Sequence, residues 1–222
     1  MEKIKTGVLT ILTRVFGKDF QCVSEREIRK STVISLDVFD TLILREGIEN
    51  PLDVFDLIHP DDKLFRMKRL EAAERSRYEA KLQGREDRKI GEIYRYLPGY
   101  DVRDEINTEI SLCKVNPDGL AFFKRLSIDK EYGKKRVIIT SDMYLDRLTI
   151  EKILTNAGYD ITGIKIYVSC EYGFTKRSGR LYRKIIEEEG TRSILHIGDD
   201  YISDFFIPRI LGITGCLYRR RA

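Results

Sequence analysis

Four short apolar runs constrain this chain more than any other feature: Thr32–Leu36, Val137–Thr140, Ile164–Val168 and Ser193–Ile197. They are rich in β-branched residues and too short for helices, which suits strands buried inside a parallel sheet. Between the last three lie amphipathic stretches. The spacing predicts a helix over Asp146–Asn156, stopped by Ala157-Gly158, and another over Gly179–Glu189, stopped by Gly190. After the fourth run it predicts a helix over Tyr201–Leu211, cut or kinked by Pro208, and a last strand over Ile213–Tyr218. Strand–helix–strand alternation implies a doubly wound, Rossmann-like α/β sheet with right-handed crossovers.

The first strand is set apart from the second by a long segment. Most of Pro51–Leu112 is helical in period and highly charged, so it reads as a separate helical unit. Asn116-Pro117-Asp118-Gly119 then opens a helix, Leu120–Leu126, leading back to the sheet. The expected organisation is an N-terminal helical segment over 1–30, a core formed by 31–44 and 115–222, and an inserted helical cap over 45–114. Ile4, Val8, Leu9, Ile11, Leu12, Val15 and Phe16 recur at helical spacing, predicting one N-terminal helix without chemistry.

With 222 residues and 42% hydrophobic content, the chain can build a core, which excludes global disorder. No apolar run approaches the roughly 18 residues of a membrane span, and the start lacks a small-residue cleavage site, so a cytoplasmic protein is expected. A formal charge of +4 is too balanced to argue for nucleic acid. Cys22, Cys113, Cys170 and Cys216 are scattered without zinc-ligand spacing, and are read as buried reduced thiols.

Ligands of open parallel sheets bind at the carboxyl ends of the strands. There the sequence delivers Asp37, Asp142, Asp199, Asp200 and Asp204. Crowded carboxylates repel unless protonated or neutralised by a cation. Magnesium fits, since it takes one or two carboxylates and completes its shell with water and substrate oxygens. A single aspartate after a strand is as often a helix cap; the set, all at one edge, points to a site.

Four segments in order resemble the haloacid dehalogenase (HAD) superfamily of aspartate-nucleophile hydrolases. They are Leu36-Asp37-Val38-Phe39-Asp40-Thr41-Leu42, Ile138-Ile139-Thr140-Ser141, Lys176, and Gly198-Asp199-Asp200-Tyr201-Ile202-Ser203-Asp204. Residues 45–114 fall where that family inserts its helical C1 cap. The wording SLDVFDTL, TSDMYL and HIGDDYISD is similar to a bacterial subgroup of hydrolases linked to surface polysaccharide and glycosyltransferase functions.

The resemblance implies Asp37 as a nucleophile that forms an aspartyl-phosphate. It implies Mg²⁺ held by Asp37, the backbone carbonyl of Phe39 and Asp199, with Asp204 or Asp200 completing the shell. Thr41 and Ser141 would donate to the phosphoryl oxygens, and Lys176 would supply positive charge. The expected reaction is hydrolysis of a small phosphate monoester, a sugar phosphate or nucleotide.

Phe39 departs from the pattern. Phosphatases of the family usually carry a second Asp there as general acid and base, a contribution typically worth 10²–10⁴-fold. Extended alternation would point Asp40 elsewhere. The consequence is a slow phosphatase, an acid from the cap, a substrate with a good leaving group, or a different reaction. Dehalogenases also lack that Asp, but they attack carbon without magnesium, and the acidic cluster argues for phosphoryl chemistry. A non-catalytic domain binding a phosphorylated ligand, or scaffolding a glycosyltransferase partner, is the alternative; a homodimer through the N-terminal helix is another possible assembly.

Lys63–Lys89 holds ten Lys or Arg against five Asp or Glu, a net +5. Such a run is either a solvated helix face or a basic lid that attracts polyanions. Tyr78, Tyr94, Tyr96 and Tyr100 are read as packing residues. His59 is placed in a cap loop and His196 in the core, neither with a catalytic part.

Overall fold

The structure is a computed structural model that describes residues 15–48, 50–128 and 135–219. Five strands form a parallel sheet in the order β5-β4-β1-β6-β7: β1 Val33–Leu36, β4 Arg136–Ser141, β5 Lys165–Val168, β6 Ile194–Gly198 and β7 Thr214–Leu217. The four apolar runs are thus β5, β4, β1 and β6, four adjacent strands of the sheet. β1 is the middle one, with Leu36 paired to Ile139 on one side and Ile197 on the other. The chain adds β4 and β5 on one side of β1, then returns to add β6 and β7 on the other. That reversal opens a crevice at the carboxyl end of β1, the switch point where such sheets bind ligands. Lys18 extends the sheet past β7 through a backbone bond to Leu217 O at 2.8 Å.

Alternate strand residues fill two cores. Ile34, Leu36, Ile139, Ile166, Leu195 and Ile197 belong to the larger one. Val33, Ile138, Tyr167 and Ile194 pack with Leu181, Tyr182 and Ile185 of the helix Arg180–Glu189 in the other. Each fully buried aliphatic or aromatic side chain contributes about 1.5–3 kcal/mol. The helices Arg147–Asn156 and Arg180–Glu189 stand where the spacing placed them, the first capped by Asp146, which accepts from Thr149 N at 2.9 Å. The helix after Asn116 is longer than its apolar pattern, covering Pro117–Ile128.

The expected helix over Tyr201–Leu211 is instead a π-helical turn, Tyr201–Phe206, and a short helix, Ile207–Ile210, starting beside Pro208. Of the N-terminal helix expected from Ile4 to Phe16, residues up to 14 lie outside the described part; Val15 and Phe16 are exposed. Cys113, Cys170 and Cys216 are buried as expected, whereas Cys22 is exposed.

Residues after β1 leave the core along β2 (Ile43–Arg45) and return along β3 (Cys113–Val115), which pair antiparallel, Arg45 opposite Cys113. This two-stranded stem has no counterpart among the predicted elements. Between its strands lie the helices Val54–Ile58, Phe65–Leu82, Ile90–Tyr94 and Val102–Leu112. Phe65–Leu82 buries Phe65, Arg69, Ala72, Ala73, Ser76 and Ala80, a helical stripe whose polar members blur its apolar period. The loop after it docks on the core: Glu86 N donates to Gly173 O and Ile90 N to Tyr144 O, both at 2.8 Å.

Candidate active site

Asp37 directly follows β1 and stays in the sheet, its N–H donating to Ile197 O at 2.9 Å. Its carboxylate is nearly buried. Oδ1 accepts from Lys176 Nζ at 2.5 Å, and Oδ2 from Thr41 Oγ1 at 3.3 Å. The Thr41 hydroxyl also lies 3.4 Å from Asp199 Oδ1. Its loop is fastened from below: Asn116 Nδ2 donates to Thr41 O at 2.6 Å and Tyr159 OH to Leu42 O at 2.8 Å.

Asp199 follows β6, and Asp204 sits in the π-helical turn beyond it. Asp204 reaches back because residue 198 is glycine: a Cβ there would lie 2.5 Å from the Asp204 carboxyl carbon. One carboxylate oxygen each from Asp37, Asp199 and Asp204 lies within 4.8 Å of the others. Lys176 Nζ joins two of them, at 2.5 Å from Asp37 and 2.7 Å from Asp204.

Three carboxylates face one lysine in a buried pocket. Burial pushes the Asp37 carboxyl up to about 7 against the pull of Lys176, with Asp204 adding to the rise. Burial likewise pushes Asp199 well up, aided by the charge of Asp37. Asp204 resists its burial because Lys176 and His196 hold it well below the usual carboxylate range. Lys176 stays charged: burial opposes its proton, but Asp204, Asp37 and Asp142 together overcome that. Two hard-to-ionise oxygen donors beside a firmly ionised third form a donor set that a small divalent cation fits, since its charge relieves what the lysine leaves unbalanced.

The other aspartates are used differently. Asp142 accepts from the backbone N of Lys176 with both oxygens, at 2.7 and 3.0 Å, and fixes the lysine loop. Asp200 caps the π-helical turn, accepting from Ile202 N at 3.1 Å and Ser203 N at 2.6 Å. Asp204, not Asp200, joins the cluster. Ser141, buried at the end of β4, lines the same cavity of about 260 Å³ with Asp37, Phe39, Lys176 and Asp199.

Several features differ from the expectations or were missed. Asp40 does line the cavity. The alternation argument fails because the chain leaves the extended conformation there, Asp40 having φ +56°, a left-handed geometry Asp tolerates better than most. His196 is buried as expected but is not inert. Its Nδ1 lies 2.8 Å from Ser35 Oγ, its Nε2 3.0 Å from Asp204 Oδ1, and Ser35 Oγ lies 2.9 Å from Thr140 Oγ1. With Asp204 ionised, Nε2 carries the proton and a one-way hydrogen-bond chain runs from β4 through β1 and β6 to the site. The signal was available: Ser35, Thr140 and His196 are polar interruptions in otherwise apolar strands.

The basic run of the cap does not line this cavity. Its charges pair locally: Arg66 with Asp53 and Asp56, Arg69 with Glu105, Arg85 with Glu92, Arg88 with Asp87. Lys68 and Arg75 line a separate cap groove with Tyr96 and Tyr100. From the stem, Arg45 joins Lys176 in lining the Asp37 cavity.

No protein-family pattern matches the chain, and no curated protein matches it in sequence. Its fold is shared with solved structures of HAD family enzymes. It is similar to the HAD family enzyme bt-2542 of Bacteroides thetaiotaomicron, with a TM-score of 0.60 at 15% identity, over 86% of this chain and 94% of that one. That enzyme has also been solved with magnesium and inorganic phosphate. The magnesium-bound putative HAD-hydrolase YfnB of Bacillus subtilis gives 0.56 at 16% identity, over 85% and 88%. The L-2-haloacid dehalogenase of Xanthobacter autotrophicus gives 0.53 at 14%, over 82% and 75%. Among the described residues no helix is long and apolar enough to cross a membrane.

Proposed function

We propose that this chain is a magnesium-dependent hydrolase that removes the phosphoryl group of a small phosphorylated substrate through an aspartyl-phosphate on Asp37. The observation that carries this reading is the cluster of Asp37, Asp199 and Asp204 beside one buried lysine, lining a cavity of about 260 Å³. Asp37, the Phe39 carbonyl, Asp199 and Asp204 would hold Mg²⁺, which supplies charge neutralisation when an anion approaches an anion.

The chain's own residues do the rest. An Asp37 oxygen attacks phosphorus, and the bond to the leaving oxygen breaks. Lys176 favours the anionic form of Asp37 and offers its charge to the phosphoryl oxygens. Ser141 supplies a hydroxyl at the same cavity, and the Thr41 hydroxyl donates to Asp37. Water then attacks the aspartyl-phosphate, freeing phosphate and restoring Asp37. Two of these neighbours of similar fold are solved with magnesium, which supports this reading over metal-free chemistry.

Phe39 favours a second reading, dehalogenation, because it supplies no acid. The acidic cluster speaks against it. The test is phosphate release from a panel of phosphate esters and anhydrides, with magnesium or EDTA. Magnesium-dependent release, lost in Asp37→Asn, is the expected result. Halide release from 2-haloacids without phosphate release would replace this reading with the second.

A further inference from the structure

Apart from Asp40, the acids that line the cavity beside Asp37 are already engaged. Asp199 and Asp204 belong to the acidic cluster, Asp142 is taken up by the Lys176 loop, and Asp200 caps a turn. What stands above Phe39 is a cation. The Arg45 guanidinium carbon lies 4.2 Å from the Phe39 ring centroid. Glu109 clamps the opposite edge, accepting from Nε at 2.9 Å and Nη2 at 3.3 Å. The Arg45 side chain is 8% exposed, and its Nη1 has no hydrogen-bond partner among the described residues. Ring below, carboxylate behind and antiparallel stem beneath fix the guanidinium while it lines the cavity of Asp37 and Lys176.

An arginine in such a setting does not give up its proton. It cannot serve a leaving group that needs protonation, but its donors suit one that departs already charged. We propose that Arg45 receives the leaving-group oxygen, and that the substrate is a phosphoanhydride, an acyl phosphate or a diphosphate, whose leaving group departs as an anion. This rests on the reading of Asp37 as the nucleophile. The Asp37 oxygen forms the new bond to phosphorus. The P–O bond of the anhydride breaks, and its electron pair leaves on the carboxylate or phosphate facing Arg45, with no proton transferred. Water then cleaves the aspartyl-phosphate, and its protons stay with the released phosphate.

The test compares acetyl phosphate and inorganic pyrophosphate with glycerol phosphate, whose alkoxide leaving group needs an acid. With magnesium, wild type should favour the anhydrides by about 100-fold or more in kcat/KM, the scale of a missing general acid. Removing Arg45 alone would strand Glu109, so the informative variant is Arg45→Met with Glu109→Gln, checked by its thermal melt. The preference should shrink by about 10-fold or more, the scale of a lost charge-assisted pair. Binding provides a readout free of turnover. In Asp37→Asn, methylenediphosphonate should bind more tightly than methylphosphonate by calorimetry, and the double change should remove that difference.

Glycerol phosphate turned over as fast as the anhydrides, with the rate falling in Asp40→Asn, would overturn the proposal and place an acid at Asp40. Phosphate release without preference would overturn it while leaving the aspartyl-phosphate reading intact. No magnesium-dependent release from either class would overturn both.

Discussion

Two clusters of buried charge among the described residues are handled in opposite ways. In the cap, Arg69 meets Glu105 bidentately at 2.6 and 2.7 Å, both side chains essentially without exposure. One turn on, Glu109 meets Arg45, and Tyr144 OH lies 3.4 Å from the same Glu109 carboxylate. Every charge there has its opposite. At the sheet edge, Asp37, Asp199 and Asp204 crowd together, and the one lysine beside them pairs with Asp37 and Asp204. A balanced buried pair gives a fixed geometry; an unbalanced one holds a ligand-shaped deficit, and it sits where the sheet opens.

The largest effect separating the two regions is on turnover. Asp37→Asn should lower magnesium-dependent phosphate release on the order of 10⁴-fold or more, as loss of a nucleophile does, without unfolding the protein. Next comes the cap. Glu105→Gln strands Arg69, a side chain 1% exposed, and should cost about 3–5 kcal/mol, read as a lower urea midpoint. Replacing both partners, Arg69→Met with Glu105→Leu, should recover most of that loss. Equal losses in single and double variants would mean that the pair stabilises beyond its balance.

The sheet edge should respond with the opposite sign. Without metal, Asp199→Asn removes one crowded carboxylate and should raise the melting temperature, by about 2–4 °C for each kcal/mol relieved. Magnesium should stabilise wild type and not the variant. The pH dependence follows from Asp37. A carboxyl raised in the fold from its ordinary value to about 7 binds its proton more tightly there than in the unfolded chain. Its contribution is therefore full below the unfolded value near 3.9 and is lost as pH rises through about 7. Burial pushes Asp142 up to about 6, which adds a loss of the same sign. Metal-free wild type should thus weaken between roughly pH 4 and pH 7, and magnesium should flatten the curve. A rise over that range would show that Lys176 alone balances the cluster.

The two regions also differ in how legible they are in the sequence. Asp37 and Asp199 could be read because each follows a short apolar run, so strand order carries them to one edge, where Lys176 arrives from the turn before the helix Arg180–Glu189. Asp204 was read with Asp200 as its alternative; the close approach over Gly198 that selects Asp204 is what no spacing reveals. The cap's polar ladder was hidden: Arg45 and Glu109 sit at opposite ends of the inserted segment, brought together by an antiparallel stem of three-residue strands. The helix Phe65–Leu82 buries an arginine and a serine in its inward stripe, so charge counting made it look like a basic face. Asp40 was misplaced for a backbone reason, since a turn with positive φ breaks strand alternation.

The smallest effect tests whether the net charge of the cap matters at all. Arg77 pairs with Glu74 on the outer face of Phe65–Leu82, with side chains 53% and 67% exposed. Such pairs are screened by water and salt and are worth well under about 1 kcal/mol. Arg77→Ala should leave the urea midpoint nearly unchanged and alter kcat/KM by less than about twofold at low ionic strength, because this charge lies outside the Asp37 cavity. A marked rise in KM that disappears with added salt would restore the basic-lid reading, making the cap a long-range attractor for anions. An unchanged KM would leave Arg45, fixed on Phe39 inside the cavity, as the cationic side chain through which the stem of the cap meets the substrate.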